Sequence, residues 1–235
     1  MKIKFVLCLL IIVLSNLSCS PRIKFSQSNQ QFEGDVSFLE DLDIEERASE
    51  NDLLFIGSSS IRLWENIQED MYPYSSIKRG YGGAHFYDLI HFSERLVKNH
   101  SPKAILIFVA NDITGSHDER NLVGDLSPNE VKRLFNYNYK LIRSIHEHVP
   151  IFLIEITPTP KRWKVWDKIL QANIKLERFC KKESNLYFIS TRDKFIGTNG
   201  LPIKSLFLTD ELHLNTEGYK LWSSIIKSKL SEIGI

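Results

Sequence analysis

The sequence has little of what marks several classes of protein. It contains only 3 cysteines in 235 residues, too few for a disulfide framework. Its 30 basic residues nearly balance 29 acidic ones, and no lysine- and arginine-rich block offers a site for a polyanion. No internal repeat is present, and the H-E-x-x-H, GxxxxGK[ST] and GxGxxG motifs are all missing. These absences argue against a disulfide-stapled module, a nucleic-acid-binding protein, a repeat protein and a motif-defined metal or nucleotide site.

The composition is that of an ordinary globular domain. Hydrophobic residues make up 43% of the chain and charged residues 25%, so a substantial core is available. The length suits one domain with an extension. We place the domain at residues 32–235. Cys180 falls on the apolar side of a helical pattern, which predicts a small core residue.

The N-terminus has the organisation of an export signal. A basic start, Met1–Lys4, precedes an apolar run over residues 5–14 that is too short to span a bilayer comfortably. Small and polar residues follow up to Cys19, so we expect a signal peptide over residues 1–19. A cysteine at this place resembles a bacterial lipoprotein signal, although Asn16 stands where such signals usually have Leu. The expected location is the cell envelope, with a lipid on Cys19 as membrane anchor; simple secretion and an uncleaved anchor are the alternatives.

A polar segment rich in Ser, Gln and Asn covers residues 20–31 and predicts a flexible tether. Beyond it, Phe32, Val36, Leu39 and Leu42 recur at near-helical spacing, which predicts a short amphipathic helix before the first strand.

Strand and helix patterns alternate through the rest of the chain. Short, largely apolar runs typical of buried parallel strands occur at residues 53–56, 104–110, 151–156 and 186–189, and residues 77–79 are a further, brief strand candidate. Helical patterns lie between them and after the last. The alternation predicts an α/β fold, a three-layer α/β/α sandwich with a mostly parallel, flavodoxin-like five-stranded sheet. Such sheets bind their ligands at the carboxyl ends of the strands.

Polar residues follow several of these strands. Gly57 and three serines come directly after the first run, and a hydroxyl raised on a tight turn before a helix suits a nucleophile. A plain helix N-cap is the alternative. A glycine-rich stretch spans residues 80–83, and Asn111 follows the third run. Near the C-terminus Asp210 and His213 are spaced so that a carboxylate can orient an imidazole base; taken alone, the pair is more typical of a capped turn with an exposed histidine.

In their order along the chain, four blocks resemble the SGNH hydrolases, also called the GDSL esterase/lipase family. They are residues 57–61, 79–83, 109–112 and 210–215. The resemblance covers roughly residues 50–230 and implies a serine nucleophile at Ser59, a general base at His213 and an orienting carboxylate at Asp210. It also implies an oxyanion hole made by the backbone N–H groups of Ser59 and Gly83 and by the amide of Asn111.

Two residues depart from the family pattern. Ser58 stands where the opening block usually has Asp, which makes Ser58 and Ser60 rival nucleophiles, and Val109 stands where the third block usually has Gly. The segment over residues 158–163 is similar to a stretch in bacterial members that share a Ser-Ser opening block.

The resemblance implies an enzyme that cleaves a short acyl ester, with an O-acetyl group on a carbohydrate favoured, and that needs no metal or organic cofactor. The expected partners are this glycan or small-molecule ester and the membrane, not nucleic acid; the oligomeric state is open. One alternative is a catalytically inactive envelope protein that binds glycans. The other is a flavodoxin-like binder of nucleotide or phosphate, which leaves Asp210 and His213 unexplained.

Overall fold

A computed structural model describes residues 21–46, 50–116 and 123–235 of the protein. The predicted signal peptide lies outside these residues. Five strands form one sheet: β1 Leu53–Gly57, β2 Ser76–Gly80, β3 Ala104–Phe108, β4 Ile151–Ile154 and β5 Leu186–Ile189. Their order is β2-β1-β3-β4-β5 and every pair is parallel. The predicted α/β class is therefore confirmed, with the strand order of flavodoxin-like folds.

The two central strands are covered on both faces. All residues of β1 and β3 are buried, which explains why they are continuous apolar runs in the sequence. Because β1 lies between β2 and β3, its carboxyl end meets the ends of both neighbours. The chain leaves β1 and β3 in opposite directions along the sheet, and a crevice opens at such a switch point.

Helices cover both faces of the sheet. Their bounds are α1 Pro21–Lys24, α2 Ser28–Glu45, α3 Ser59–Arg62, α4 Ile67–Asp70, α5 Phe86–Val97, α6 Pro128–Ile145, α7 Trp166–Cys180, α8 Arg192–Phe195 and α9 Thr216–Ile233. Helices α2, α5, α6 and α7 pack side by side in this order. Two 3₁₀ segments, Pro160–Val165 and Lys204–Leu206, precede α7 and α9. Cys180 is buried at the end of α7, as predicted.

Aromatic packing joins α9 to the central strands. Trp222 of α9 meets Phe108 of β3 edge-on, with ring centroids 4.9 Å apart. Trp64 lies between Phe55 of β1 and Tyr219 of α9, at 5.6 Å and 5.2 Å. Buried aromatic pairs of this kind stabilise a fold beyond the burial of their apolar surface. They attach α9, which follows the Asp210–His213 segment, to β1, which precedes Ser59.

The segment before β1 differs from the prediction. Residues 20–31 are expected to form a flexible tether, but from Pro21 onward they contribute α1 and the start of α2. Phe25 is 5% exposed and stacks on Tyr87 of α5, with ring centroids 5.2 Å apart. An aromatic side chain within this polar stretch therefore docks it on the domain, an effect that average composition does not reveal.

The predicted amphipathic helix is present within α2, and it is held by charge as well as by apolar contacts. Phe32, Val36 and Leu39 are buried, and Nε of Arg79 lies 2.6 Å from Oδ1 of Asp43. Helix α2 thus packs against α5 and reaches the edge strand β2. Within the described part of the chain, no helix is both long enough and apolar enough to cross a membrane.

Candidate active site

The turn after β1 places the hydroxyl of Ser59 at the carboxyl edge of the sheet. Gly57 has φ +131°, and a Cβ at this position would lie 1.9 Å from the carbonyl oxygen of Phe108. Only glycine allows this approach, and the N–H of Ser58 then donates to the same oxygen at 2.9 Å. Ser58 adopts an extended conformation as N-cap, and Ser59 begins α3. The strand, the glycine and the helix start thereby fix the direction of the Ser59 side chain.

A tight turn before α9 brings Asp210 and His213 together. Oδ1 of Asp210 accepts hydrogen bonds from the N–H groups of Leu212 and His213, at 2.9 and 3.0 Å. Glu211 has φ +59°, and its carbonyl accepts from the N–H of Lys161. The spacing of three residues reflects this turn, which leaves Oδ2 of Asp210 free to face the imidazole.

Three side chains form one hydrogen-bonded line. Oδ2 of Asp210 lies 2.6 Å from Nδ1 of His213, and Nε2 of His213 lies 3.0 Å from Oγ of Ser59. An ionised carboxylate only accepts hydrogen bonds, so this contact assigns the proton to Nδ1 and leaves Nε2 as the acceptor for the serine hydroxyl. The hydroxyl of Ser59, not that of Ser58 or Ser60, is the one within reach of His213.

The carboxylate of Asp210 favours its ionised form. Partial burial opposes ionisation, but hydrogen bonds from the His213 side chain and from the N–H groups of Leu212 and His213 outweigh it and hold the pKa of Asp210 below its usual value. A permanently charged partner on Nδ1 stabilises an imidazolium whenever His213 takes up a proton.

Three residues that line the cavity of Ser59 carry N–H groups that a ligand could use. Within the described residues, the backbone N–H groups of Ser59 and Gly83 donate no hydrogen bond. Gly83, with φ +84°, lines the same cavity as Ser59. Nδ2 of Asn111 donates one of its two N–H bonds to the carbonyl of Ala84 at 2.9 Å, and the other remains for a ligand. Unengaged donors of this kind suit a developing oxyanion.

Arg162 fixes the orientation of Asn111, a role that its own sequence position does not predict. Its side chain is 8% exposed, and Nη2 donates to Oδ1 of Asn111 at 2.6 Å while Nη1 donates to the carbonyl of Ala110 at 2.7 Å. A guanidinium has no acceptor, so the amide oxygen must face Arg162 and the amide nitrogen must face away from it. Arg162 belongs to the segment 158–163, the only sequence signal that could have drawn attention to it.

These groups line one cavity of about 220 Å³. Ser59, Gly83, Asn111 and His213 are on its wall, together with two arginines, Arg62 and Arg162. This volume admits a small group beside Ser59. Within the described ranges, no three side chains of His, Cys, Asp or Glu are grouped so that they could hold a metal ion.

Several residues near the cavity are buried and bound within the protein. His85 is 2% exposed at the N-terminus of α5, and its N–H donates to Oδ2 of Asp88 at 2.8 Å. Tyr81 is buried, and its hydroxyl donates to Asp88. Val109 is 1% exposed in the core, and its side chain does not narrow the cavity.

The two tryptophans after residue 160 are stacked on each other. Trp166 is 7% exposed and Trp163 is half-buried, with ring centroids 5.7 Å apart. Trp163 faces a different cavity, of about 550 Å³, that includes Glu211 and Lys204. The tryptophans therefore contribute to packing, and Trp163 also lines a surface next to the Asp210–His213 turn.

A buried acid binds the start of α5, the helix that follows Gly83. Both oxygens of Asp112 lie 3.1 Å from the N–H of Phe86, at the start of α5. Burial raises the pKa of Asp112 to about 7, against the attraction of His85 and the hydrogen bond from Phe86. Asp112 thus lies under the candidate site as a carboxyl group that holds its proton more tightly than an exposed one.

Comparisons with known proteins agree with this architecture. No protein-family model matches the sequence, and no curated protein matches it. Among solved structures, a Streptococcus pneumonia protein assigned as a platelet activating factor has a TM-score of 0.72 at 19% identity, covering 95% of this chain and 99% of its own. A GDSL-like lipase from Bacteroides thetaiotaomicron has a TM-score of 0.68 at 18% identity, with 84% and 98% covered. An acetyl xylan esterase, AlAXEase, has 0.61 at 20%, with 76% and 99% covered.

These likenesses extend over nearly the whole of each solved chain. At 18–20% identity they show a shared fold, and the fold is the one that the four sequence blocks imply. The chemistry therefore depends on the side chains at the carboxyl edge of the sheet.

Proposed function

We propose that the protein is a serine ester hydrolase that cleaves a short acyl ester through an acyl-Ser59 intermediate. The observation that carries this proposal is the line from Asp210 through His213 to Ser59, with both contacts at hydrogen-bonding distance. Nucleophile, base and orienting group are the three parts that acyl transfer by a serine requires. The proposed reaction uses no metal or organic cofactor.

In the first half of the reaction, Oγ of Ser59 attacks the ester carbonyl while its proton passes to Nε2 of His213. The carbonyl oxygen becomes an oxyanion that accepts hydrogen bonds from the N–H groups of Ser59 and Gly83 and from Nδ2 of Asn111. The tetrahedral intermediate then expels the alcohol, which takes the proton from His213. The products of this half are a free alcohol and an ester between the acyl group and Ser59.

In the second half, water attacks the acyl-Ser59 ester and gives its proton to His213. The second tetrahedral intermediate collapses, the carboxylic acid leaves, and Oγ of Ser59 recovers the proton from Nε2. Asp210 keeps its charge throughout and stabilises the imidazolium in both halves.

The size of the cavity supports a small acyl group. A volume of about 220 Å³ that is shared by the donors and His213 suits an acetyl group better than a long chain. We favour an acetyl ester on a carbohydrate, in keeping with the acetyl xylan esterase among the structures of the same fold and with the predicted envelope location. That location, with a lipid on Cys19, is part of the proposal.

The release of p-nitrophenol from p-nitrophenyl acetate by the full chain tests the proposal. We expect Ser59→Ala and His213→Ala to reduce kcat/KM at least about a hundredfold. Ser58→Ala is the matched control because it removes the neighbouring hydroxyl, which does not contact His213, and it should retain turnover. A wild-type protein no faster than Ser59→Ala on acetate and butyrate esters would contradict the esterase and would favour a glycan-binding role.

A further inference from the structure

The candidate cavity is lined by more basic than acidic side chains. Two arginines, Arg62 and Arg162, line it, and no Asp or Glu is among its described lining residues. Asp210 is engaged with Nδ1 of His213 behind the base. Among the described residues that line this cavity, a ligand next to Ser59 therefore meets two arginines and no carboxylate, an arrangement that favours an anion.

The two arginines are not equivalent. Arg162 is buried, and its guanidinium binds Ala110 and Asn111, so its hydrogen bonds belong to the protein. Arg62 is exposed, and within the described residues its side chain takes part in no hydrogen bond and no ion pair. The five donors of the Arg62 guanidinium are thus available to a ligand.

The short helix α3 sets the distance between Arg62 and Ser59 along the backbone. The two residues are the first and last of α3, and side chains three apart on a helix lie about 5–6 Å from each other at Cβ. The guanidinium lies against Gly82: a Cβ there would be 3.3 Å from Nε and 3.5 Å from Nη2. The lack of a side chain at Gly82 lets Arg62 lie flat beside the turn that carries Gly83.

From this geometry we propose that Arg62 binds a carboxylate on the substrate, and that the preferred substrates are acyl esters of acidic alcohols, such as O-acetylated acidic sugars. The planar fork of a guanidinium matches a carboxylate with two parallel hydrogen bonds. The carbonyl oxygen of the acyl group accepts hydrogen bonds from the donors near Ser59. The carboxylate on the alcohol part of the substrate binds Arg62. This inference rests on the proposed function, because it assigns the substrate class of the same site.

A pair of matched esters tests the inference with the full chain. The acids 3- and 4-acetoxybenzoate each carry a carboxylate, and their methyl esters are neutral molecules with the same acetyl group. The readout is kcat/KM for the acid divided by kcat/KM for its methyl ester, so a general loss of activity cancels. We expect wild type to prefer the acid with at least one of the two isomers.

Three variants give the comparison its controls. Arg62→Gln should lower the ratio about 10- to 100-fold, the effect of losing a hydrogen bond to a charged group. Arg62→Lys, which keeps the charge without the fork, should give an intermediate ratio. Arg133→Gln removes an arginine with 63% side-chain exposure on α6 and should leave the ratio and both rates unchanged.

The outcomes separate this inference from the proposed function. A ratio that is the same in wild type and Arg62→Gln, with both esters cleaved, overturns the role of Arg62 and leaves the esterase standing. An equal loss on both esters in Arg62→Gln also overturns it, because the residue would then act on the reaction in general. Failure of wild type to cleave any of the four esters contradicts the proposed function itself.

Discussion

Arg162 and Asn111 are joined by a 2.6 Å hydrogen bond from Nη2 to Oδ1, which fixes the side-chain amide of Asn111 in one orientation. The second donor of the same guanidinium binds the carbonyl of Ala110, so Arg162 holds both the backbone and the side chain at the end of β3. Asn111 lines the cavity of Ser59, and one amide N–H remains for a ligand there. A residue of the 3₁₀ segment thus controls a donor that lies 51 positions earlier in the chain.

Arg162→Lys should therefore lower kcat and change KM little. Lysine keeps the charge but cannot bind Ala110 and Asn111 with one planar group, so the amide loses its fixed direction. We expect a loss of about 10- to 100-fold in kcat, against about 10²–10³ for Asn111→Ala. Steady-state kinetics on p-nitrophenyl acetate measure both.

The double variant distinguishes positioning from a separate role. If Arg162 acts through Asn111, adding Arg162→Lys to Asn111→Ala should cost little more. Lys161→Gln, which removes an exposed neighbouring charge, is the control and should behave as wild type. Fully additive losses, or a change confined to KM, would show that Arg162 does not work through the amide.

Gly57→Ala should strongly destabilise the fold. The added Cβ would lie 1.9 Å from the carbonyl oxygen of Phe108, and φ +131° is closed to alanine, so β1 and β3 would have to separate. We expect a loss of at least about 4 kcal/mol of unfolding free energy, measured by denaturant titration.

The matched control for this variant is Gly200→Ala. Gly200 also has a positive φ, +74°, but a Cβ there meets nothing within 4 Å. The Gly200→Ala substitution should lower the unfolding free energy only by the cost of the left-handed backbone conformation, about 1 kcal/mol. Equal stability of the two variants would mean that the close approach to Phe108 does not govern the turn.

Asp112 should make the protein less stable as the pH rises. Its pKa is raised by burial from 3.8 to about 7 in the folded state, so between these values the folded protein binds more protons than the unfolded chain. Stability therefore falls as the pH increases from about 4 to about 7 and levels off above that. Each pKa unit corresponds to about 1.4 kcal/mol, and we expect an effect of roughly 1 kcal/mol or more.

Asp112→Asn removes this titration and isolates its contribution. The unfolding free energy of the variant, measured against that of wild type at pH 5 and at pH 8, should move in favour of the variant at the higher pH. Asp41→Asn, at an exposed position of α2, should show no such trend. A difference between wild type and Asp112→Asn that is independent of pH would contradict the raised pKa.

The sheet could be predicted from sequence because its central strands are buried on both faces. Leu53–Gly57 and Ala104–Phe108 contain apolar runs without interruption, and a turn residue or a polar residue ends each one. Ser59, Asn111 and His213 could also be found from the sequence. Residues directly after parallel strands meet at one edge of the sheet, and the spacing of Asp210 and His213 suits one turn. The structure places them together, and their catalytic roles stay predictions.

The roles of Arg162 and His85 could not be predicted in the same way. Arginine between Lys161 and Trp163 has the local pattern of a solvent-exposed residue, and its burial depends on acceptors about 50 positions away. His85 is the N-cap of α5, where it is buried and binds Asp88 three residues later. That spacing resembles a capping box, but histidine is not among the favoured N-cap residues.

The N-terminal segment shows a different limit of sequence reasoning. Average composition over residues 20–31 predicts a tether, yet the single aromatic ring of Phe25 finds Tyr87 and docks the segment. A few apolar side chains can hold a polar segment only if they meet a suitable surface. For Phe25 that surface belongs to α5, some 60 residues later in the chain.

Ser59 should be the residue acylated during turnover, and covalent trapping identifies that residue. The full chain is treated with a p-nitrophenyl alkylphosphonate, which leaves a stable adduct on an activated serine, and intact mass and fragment spectra locate it. We predict one adduct, on Ser59, absent in Ser59→Ala and in His213→Ala and retained in Ser58→Ala. An adduct on Ser58 or Ser60, or unchanged labelling of Ser59→Ala, would contradict the account.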